Sequence, residues 1–214
     1  MSFCKDVEDE ADKINLKSNE TWKRFYEKDY SYIVDNFNSQ LLEITSCSEC
    51  EYYTTNHDPI VVVSLELSKD CDSLLDCLNK YTSKSRLDEN NKWKCDKCNN
   101  IIRPFKQTKL WKTSDVLIIL LKRYNNNRKN NKFINYSLKL NLENISVNYS
   151  SKTNIYNLQC MGIHDGGVNS GHYYAICKNF LDKKWYIYND EDVSEISEEK
   201  ILSQNPYLFV YKRN

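Results

Sequence analysis

The chain has 214 residues, 40% hydrophobic and 28% charged, enough for one large domain or two small ones around a sizeable core. Thirty Lys and Arg balance thirty Asp and Glu. A net charge of zero gives no support for a protein that coats nucleic acid or an acidic membrane surface. No window approaches the roughly 20 apolar residues of a membrane-crossing helix. The polar, acidic start Met1-Ser-Phe-Cys-Lys-Asp-Val-Glu lacks the basic and apolar regions of a secretory signal. Nine cysteines in such a chain point to a reducing compartment, cytoplasmic or nuclear.

Residues 1–20 are polar with few apolar anchors and read as a lead-in, either the start of a helix or a disordered segment. Trp22, Phe25, Tyr26, Tyr30, Ile33, Val34 and Phe37 recur at mostly helical spacing and predict one or two helices. Gln40 to Ser46 reads as a short strand running into Cys47-x-x-Cys50, and the β-branched run Val61 to Leu67 as another strand. Cys71 to Tyr81 predicts a helix with Leu74, Leu75 and Leu78 on one face. A charged turn then leads into Trp93-Lys-Cys95-x-x-Cys98. Thr108 to Trp111 predicts a strand, and the apolar run Val116 to Tyr124 a central strand buried on both faces. After an Asn/Lys/Arg loop at 125–132, strand-like segments recur at 136–142, 155–164, 172–178 and 184–188, with a last strand from Pro206 to Lys212. A helical start followed by strands without βαβ alternation predicts an α+β fold with a mostly antiparallel sheet.

Cys47, Cys50, Cys95 and Cys98 form two Cys-x-x-Cys knuckles. Zinc takes four soft ligands tetrahedrally, and two residues between paired thiols let both reach one ion. The long gap between the pairs requires a strand and a helix to be inserted between them. The competing readings are four unrelated core cysteines or a redox pair, which two such pairs in one chain disfavour. A closed four-cysteine site has no open position for substrate, so it is structural Zn2+. His57 lies between the knuckles and reads as a loop histidine rather than a fifth ligand.

All four glycines, Gly162, Gly166, Gly167 and Gly171, fall within Met161-Gly-Ile-His-Asp-Gly-Gly-Val-Asn-Ser-Gly-His-Tyr-Tyr. Such a loop, ending at His172 and entering an aromatic strand, places a mobile segment beside a rigidly held base. The following Trp185-Tyr-Ile-Tyr-Asn189-Asp190 ends in two polar groups. On adjacent antiparallel strands, Asn189 or Asp190 could return beside His172. An oxygen accepting from Nδ1–H would fix the tautomer and leave Nε2 to take a proton. The plain alternative is a satisfied core histidine in a Gly-rich hairpin; the loop, strand and polar pair together favour the base. His164 has no such partner and is the weaker candidate.

In order and spacing these elements resemble the catalytic domain of ubiquitin-specific proteases, the C19 peptidases, over roughly residues 20–214. The residues that carry the likeness are the double knuckle, the strand Val116-Leu-Ile-Ile-Leu-Leu-Lys-Arg-Tyr, Gly171-His-Tyr-Tyr-Ala, Trp185-Tyr-Ile-Tyr-Asn-Asp and the terminal Tyr207-Leu-Phe-Val-Tyr. The resemblance implies a papain-like α+β fold with zinc-ribbon fingers at about 38–112 and an antiparallel palm sheet at about 113–214. The helical thumb would be largely missing. It further implies His172 as general base, Asn189 as its orienting partner and Asp190 as a supporting acid. The loops at 125–132 and 165–171, with Gly166, Gly167, Gly171 and Tyr173, would close over the Gly-Gly tail of ubiquitin. The implied partner is ubiquitin or a ubiquitinated protein, with neither nucleic acid nor membrane.

The sequence departs from the family at the nucleophile. The family's cysteine sits in a box of the type Gly-Asn-Thr-Cys-Tyr, which nothing here matches. Cys4 stands in Ser-Phe-Cys-Lys-Asp-Val, with no Asn before it. Cys71, Cys77, Cys160 and Cys177 read as buried and inert. Two readings follow: a deubiquitinase whose nucleophile lies on an upstream, N-terminal half of the domain, or a ubiquitin-binding pseudo-protease. A third, a zinc-ribbon nucleic-acid module, is disfavoured by the neutral charge and the lack of a basic stripe.

Overall fold

A computed structural model of the chain describes residues 2–125, 128–147, 152–168 and 170–214. Two helices lead, α1 (Ser2–Tyr26) and α2 (Tyr32–Phe37). They are followed by β1 (Ser39–Ser46), β2 (Tyr53–Ile60), β3 (Val62–Glu66) and α3 (Leu74–Thr82). Next come β4 (Ser85–Arg86), β5 (Trp93–Lys94), β6 (Ile101–Ile102), β7 (Phe105–Lys112) and β8 (Val116–Lys122). The short β9 (Tyr124–Asn125), β10 (Arg128–Lys129) and β11 (Lys139–Asn141) precede the long β12 (Ile155–Gly166) and β13 (Gly171–Lys178). The chain ends with β14 (Trp185–Asn189), β15 (Asp192–Ile196), α4 (Glu198–Leu202) and β16 (Leu208–Arg213).

Local chemistry sets several of these boundaries. Ser73 caps α3: its hydroxyl accepts from the Asp76 amide at 3.1 Å while Asp76 accepts from the Ser73 amide at 2.8 Å. This reciprocal box satisfies two amides that the first helical turn leaves without partners. The face behind it, Leu74, Cys77 and Leu78, is buried. Of the lead-in expected at 1–20, residues 2–20 belong to α1.

The main sheet runs β15-β14-β13-β12-β16-β8-β3, with β11 added beside β12. Every pairing in it is antiparallel except β3 with β8. A second sheet, β2-β1-β7-β4, carries at its far end the hairpin β5-β6 that presents the second knuckle. The core lies on one face of the main sheet, where Val63, Leu65, Leu117, Ile119, Leu121, Met161, Ile176 and Phe209 meet Leu74 and Leu78 of α3. Here the sequence expectation needs correcting. β8 is hydrogen-bonded on both edges, but its burial alternates: Leu117, Ile119 and Leu121 are buried, whereas Val116, Ile118 and Leu120 are half-buried. A continuous apolar run reports apolar character, not which face is covered.

Helix α1 straps across the second sheet. Ser18, fully buried, donates to Gln40 Oε1 at 2.5 Å and accepts from the Trp111 indole at 2.9 Å. None of the described helices is long and apolar enough to cross a membrane.

Candidate active site and metal centre

β12 and β13 form a hairpin in register from Cys160 opposite Cys177 to Gly166 opposite Gly171. Its tip holds Gly166, Gly167 and Gly171, whereas Gly162 pairs with Ala175 inside the ladder. Gly166 has φ +117°, a conformation that side-chain-bearing residues rarely adopt. At Gly171 an added Cβ would stand 2.1 Å from His164 Nε2 and 2.6 Å from the Asp165 carbonyl oxygen. At Gly167 the nearest atom would be 3.8 Å away. Two of the glycines therefore have packing reasons of their own: they let the two strands and the His164 ring approach closely.

His172 is the second residue of β13. Across β14, Ala175 faces Tyr188, so continuing the register puts Asn189 opposite Tyr174 and on the same face as His172. That diagonal offset is spanned by the far end of the ring, and Nε2 of His172 meets Oδ1 of Asn189. Asp190 follows in the turn between β14 and β15 at φ 53°, and its Oδ2 lies 3.7 Å from the same nitrogen. The structure thus brings His172, Asn189 and Asp190 together, but through the other ring nitrogen from the one expected. An amide oxygen only accepts, so Nε2 carries the hydrogen and Nδ1 is left as the basic atom. The site is open, with the His172 side chain 49% exposed.

Tyr173, expected among the substrate-contacting residues, is exposed and stacks on His164 with ring centres 4.2 Å apart. His164 is buried and its Nδ1 is hydrogen-bonded to the Tyr124 hydroxyl. Lys129 donates from Nζ to the carbonyl oxygens of His164 at 2.7 Å and Gly166 at 2.9 Å. The segments 125–132 and 165–171 are therefore joined to each other. Sequence reasoning missed Lys129 and Tyr124, because neither carries a signature without its partner on a distant strand. Asn126, Asn127 and Asn169 of these segments lie outside the described residues.

The two knuckles converge. Sγ of Cys47 is 3.8 Å from that of Cys98, and Sγ of Cys50 is 3.7 Å from that of Cys95. All four sulfurs lie within 4.8 Å of one another. Metal–sulfur bonds of about 2.3 Å in tetrahedral array separate sulfurs by about 3.8 Å, so the set fits a metal ion. The loops are shaped for it: the Glu49 amide donates to Cys47 Sγ at 3.4 Å, and Asn99 takes φ 60° directly after Cys98. Tyr52 and Trp93 stack beside the cluster. His57 is not in a loop and not a ligand. It sits in β2 opposite Leu42, buried edge-on to Trp111 at 5.3 Å.

The remaining described thiols lie elsewhere. Cys71 and Cys77 are buried in the main core, while Cys160 and Cys177, expected to be buried, are half-buried and touch each other. Among the described residues no thiol is hydrogen-bonded to His172. The Cys4 side chain lies outside the described residues.

A family model described as ubiquitin carboxyl-terminal hydrolase matches residues 4–211. A protein named as a probable ubiquitin carboxyl-terminal hydrolase of Acanthamoeba polyphaga mimivirus is 31% identical over 94% of this chain and 46% of its own length. Ubiquitin carboxyl-terminal hydrolase 2 of Gallus gallus is 33% identical over 92% of this chain and 57% of its own. The chain spans about half the length of the curated relatives it matches. Among solved structures, one of the SAGA Ubp8/Sgf11/Sus1/Sgf73 DUB module bound to ubiquitin aldehyde is similar at 31% identity and a TM-score of 0.78. It covers 87% of this chain and 44% of that one. The likeness carries the papain-like α+β fold class read from the sequence.

Proposed function

This chain belongs to the ubiquitin carboxyl-terminal hydrolase family, and from that premise we propose that it is the histidine-bearing portion of a deubiquitinase. It would grip ubiquitin and present the base that activates a cysteine nucleophile supplied by an upstream part of the same protein. The observation that supports this reading is the His172–Asn189 pairing at the open end of β13 and β14. Asn189 holds the ring by Nε2, and Nδ1 takes the thiol proton. Asp190 places a carboxylate oxygen 3.7 Å from Nε2 of that ring. The thiolate then attacks the carbonyl carbon of ubiquitin's terminal glycine, the C–N isopeptide bond breaks, and the imidazolium gives its proton to the departing lysine amine, leaving an acyl-enzyme for water to hydrolyse. An amide at 189 orients the ring but stabilises imidazolium less than a carboxylate would.

In this reading residues 38–112 are the fingers and 113–214 the palm. Cys47, Cys50, Cys95 and Cys98 hold Zn2+, which stiffens the fingers and takes no part in the reaction. The joined segments 125–132 and 165–171 lie over the ubiquitin tail, with Gly166, Gly167, Gly171 and Tyr173 facing it. Structures of the SAGA Ubp8 module with monoubiquitin or ubiquitin aldehyde bound lend support by analogy.

The test is a titration of ubiquitin onto the isotope-labelled chain, with a ubiquitin carrying a C-terminal electrophile as the second arm. We expect saturable binding without covalent labelling of this chain, and labelling once the upstream segment is restored. Absence of binding at millimolar ubiquitin would overturn the reading. Labelling abolished by Cys4→Ser would place the nucleophile on Cys4, against our assignment. Binding with no labelling even in the full-length protein would leave a ubiquitin-binding pseudo-protease.

A further inference from the structure

The hairpin that carries His172 also carries two thiols that the proposed chemistry does not use. Cys160 of β12 and Cys177 of β13 face each other directly in the register. Opposed residues in an antiparallel pair lie about 4.5–5.5 Å apart at Cα, inside the roughly 4.4–6.8 Å that a disulfide bridges. Their side chains leave the sheet on the same face, and the two sulfurs are 2.7 Å apart. Both residues are half-buried, within reach of a small oxidant. Beside Cys160 the pairing of β12 with β16 slips between Leu158 and Cys160, which gives this stretch room to adjust. Cys71 and Cys77, the other non-knuckle thiols described, are each only 2% exposed in the main core.

We propose that Cys160 and Cys177 form a reversible disulfide, a redox-sensitive staple across the hairpin that bears His172. The oxidant is a peroxide. One thiolate attacks a peroxide oxygen, the O–O bond breaks, and a sulfenic acid and hydroxide form. The second thiol attacks that sulfur, the S–S bond forms, and the S–O bond breaks to release water once protons are counted. Two electrons leave the thiols and reduce the peroxide. A thiol reductant reverses the change by exchange. The hydrogen bond between the pair selects the attacker: it holds the Cys177 thiol below its usual value and pushes Cys160 up. Cys177 stands five positions after His172 on the same strand, so the staple fixes the strand that positions the ring.

The experiment is peroxide treatment of the metal-loaded chain, alkylation of the remaining thiols, and peptide mapping. The expected result is a cross-linked peptide joining Cys160 to Cys177, a loss of two hydrogens in intact mass, and full reversal by dithiothreitol. The knuckle thiols and Cys71 and Cys77 stay unbridged. Amide exchange across 160–177 slows on oxidation and recovers on reduction. Cys160→Ser and Cys177→Ser should each abolish the bridge; the map of the unaltered chain decides even if a variant does not fold. Over-oxidation of single sulfurs without a bridge would overturn the proposal, as would a bridge formed at Cys71–Cys77 in its place or unchanged exchange in the bridged form.

Discussion

His172 and Asn189 meet across the open end of two adjacent strands, ring Nε2 against amide Oδ1. The contact is diagonal, because the strands place Asn189 opposite Tyr174, two residues farther along β13. Diagonal neighbours are reached only by the far end of a side chain. The strand geometry thereby decides which ring nitrogen is tied and which is free to act as a base.

Removal of that tie should cost rate before it costs binding. If the proposed function holds, Asn189→Ala, in a protein that joins this chain to its nucleophile, is expected to lower kcat by about 100-fold, the penalty of a misplaced catalytic group. KM for a fluorogenic ubiquitin substrate should change little. Asn189→Asp should recover most of the rate, since a carboxylate also accepts from Nε2. An equal loss in the Ala and Asp variants would show that the contact does not orient the ring.

The tip glycines separate packing from ligand contact. Gly171→Ala places a Cβ against the His164 ring and the Asp165 carbonyl. It should destabilise the chain by about 1–3 kcal/mol, as overpacking does. Gly167→Ala meets nothing nearer than 3.8 Å and should leave thermal unfolding unchanged. If Gly167→Ala nonetheless weakens ubiquitin binding, that glycine faces the ligand. If both variants unfold alike, the hairpin-tip geometry is wrong.

The long periodic segments were legible in the sequence: α3 from its leucines, of which Leu74 and Leu78 are buried but Leu75, expected on the same face, is exposed, and β1, β3, β8, β12, β13 and β16 from their apolar content. β2 was not, because Tyr53-Thr-Thr-Asn-His-Asp-Pro-Ile has little apolar pattern and is held as an edge strand by β1 and by α1 above it. The convergence of the four thiols and of His172 with Asn189 and Asp190 could be anticipated, because spacing and strand order carry them to common ends. The ring nitrogen could not, since it depends on strand offset. The Lys129 tether could not either, since both its acceptors are backbone oxygens on another strand.

The four converging sulfurs predict one zinc per chain in freshly purified, reduced protein. A sub-stoichiometric reading by elemental analysis would remove the metal centre. Cys95 is fully buried, so Cys95→Ser should abolish retention of the ion. Because such binding is coupled to folding, a strong chelator should loosen the β5–β6 hairpin. Trp93, stacked on Tyr52 beside the cluster, should report this as a change in fluorescence.

His57 predicts an acid weakness in the second sheet, β2-β1-β7-β4. Only 1% of it is exposed, neither ring nitrogen has a hydrogen-bond partner, and Trp111 covers it edge-on. Burial, then the charges of Lys17 and Lys112, lower its pKa to about 4. The unfolded chain, with its ordinary value near 6.5, therefore takes up the proton first as pH falls. The stability held by neutral His57 is complete above about pH 6.5 and declines as pH drops toward 4. Between about pH 7 and pH 5 the loss should be about 2 kcal/mol. Urea unfolding at the two pH values measures it, and His57→Phe supplies the reference, keeping a ring against Trp111 but binding no proton. The difference between the two proteins isolates His57 from the carboxylates that titrate nearby. An equal acid loss in the variant would mean that His57 is already charged, or already solvated, in the folded chain.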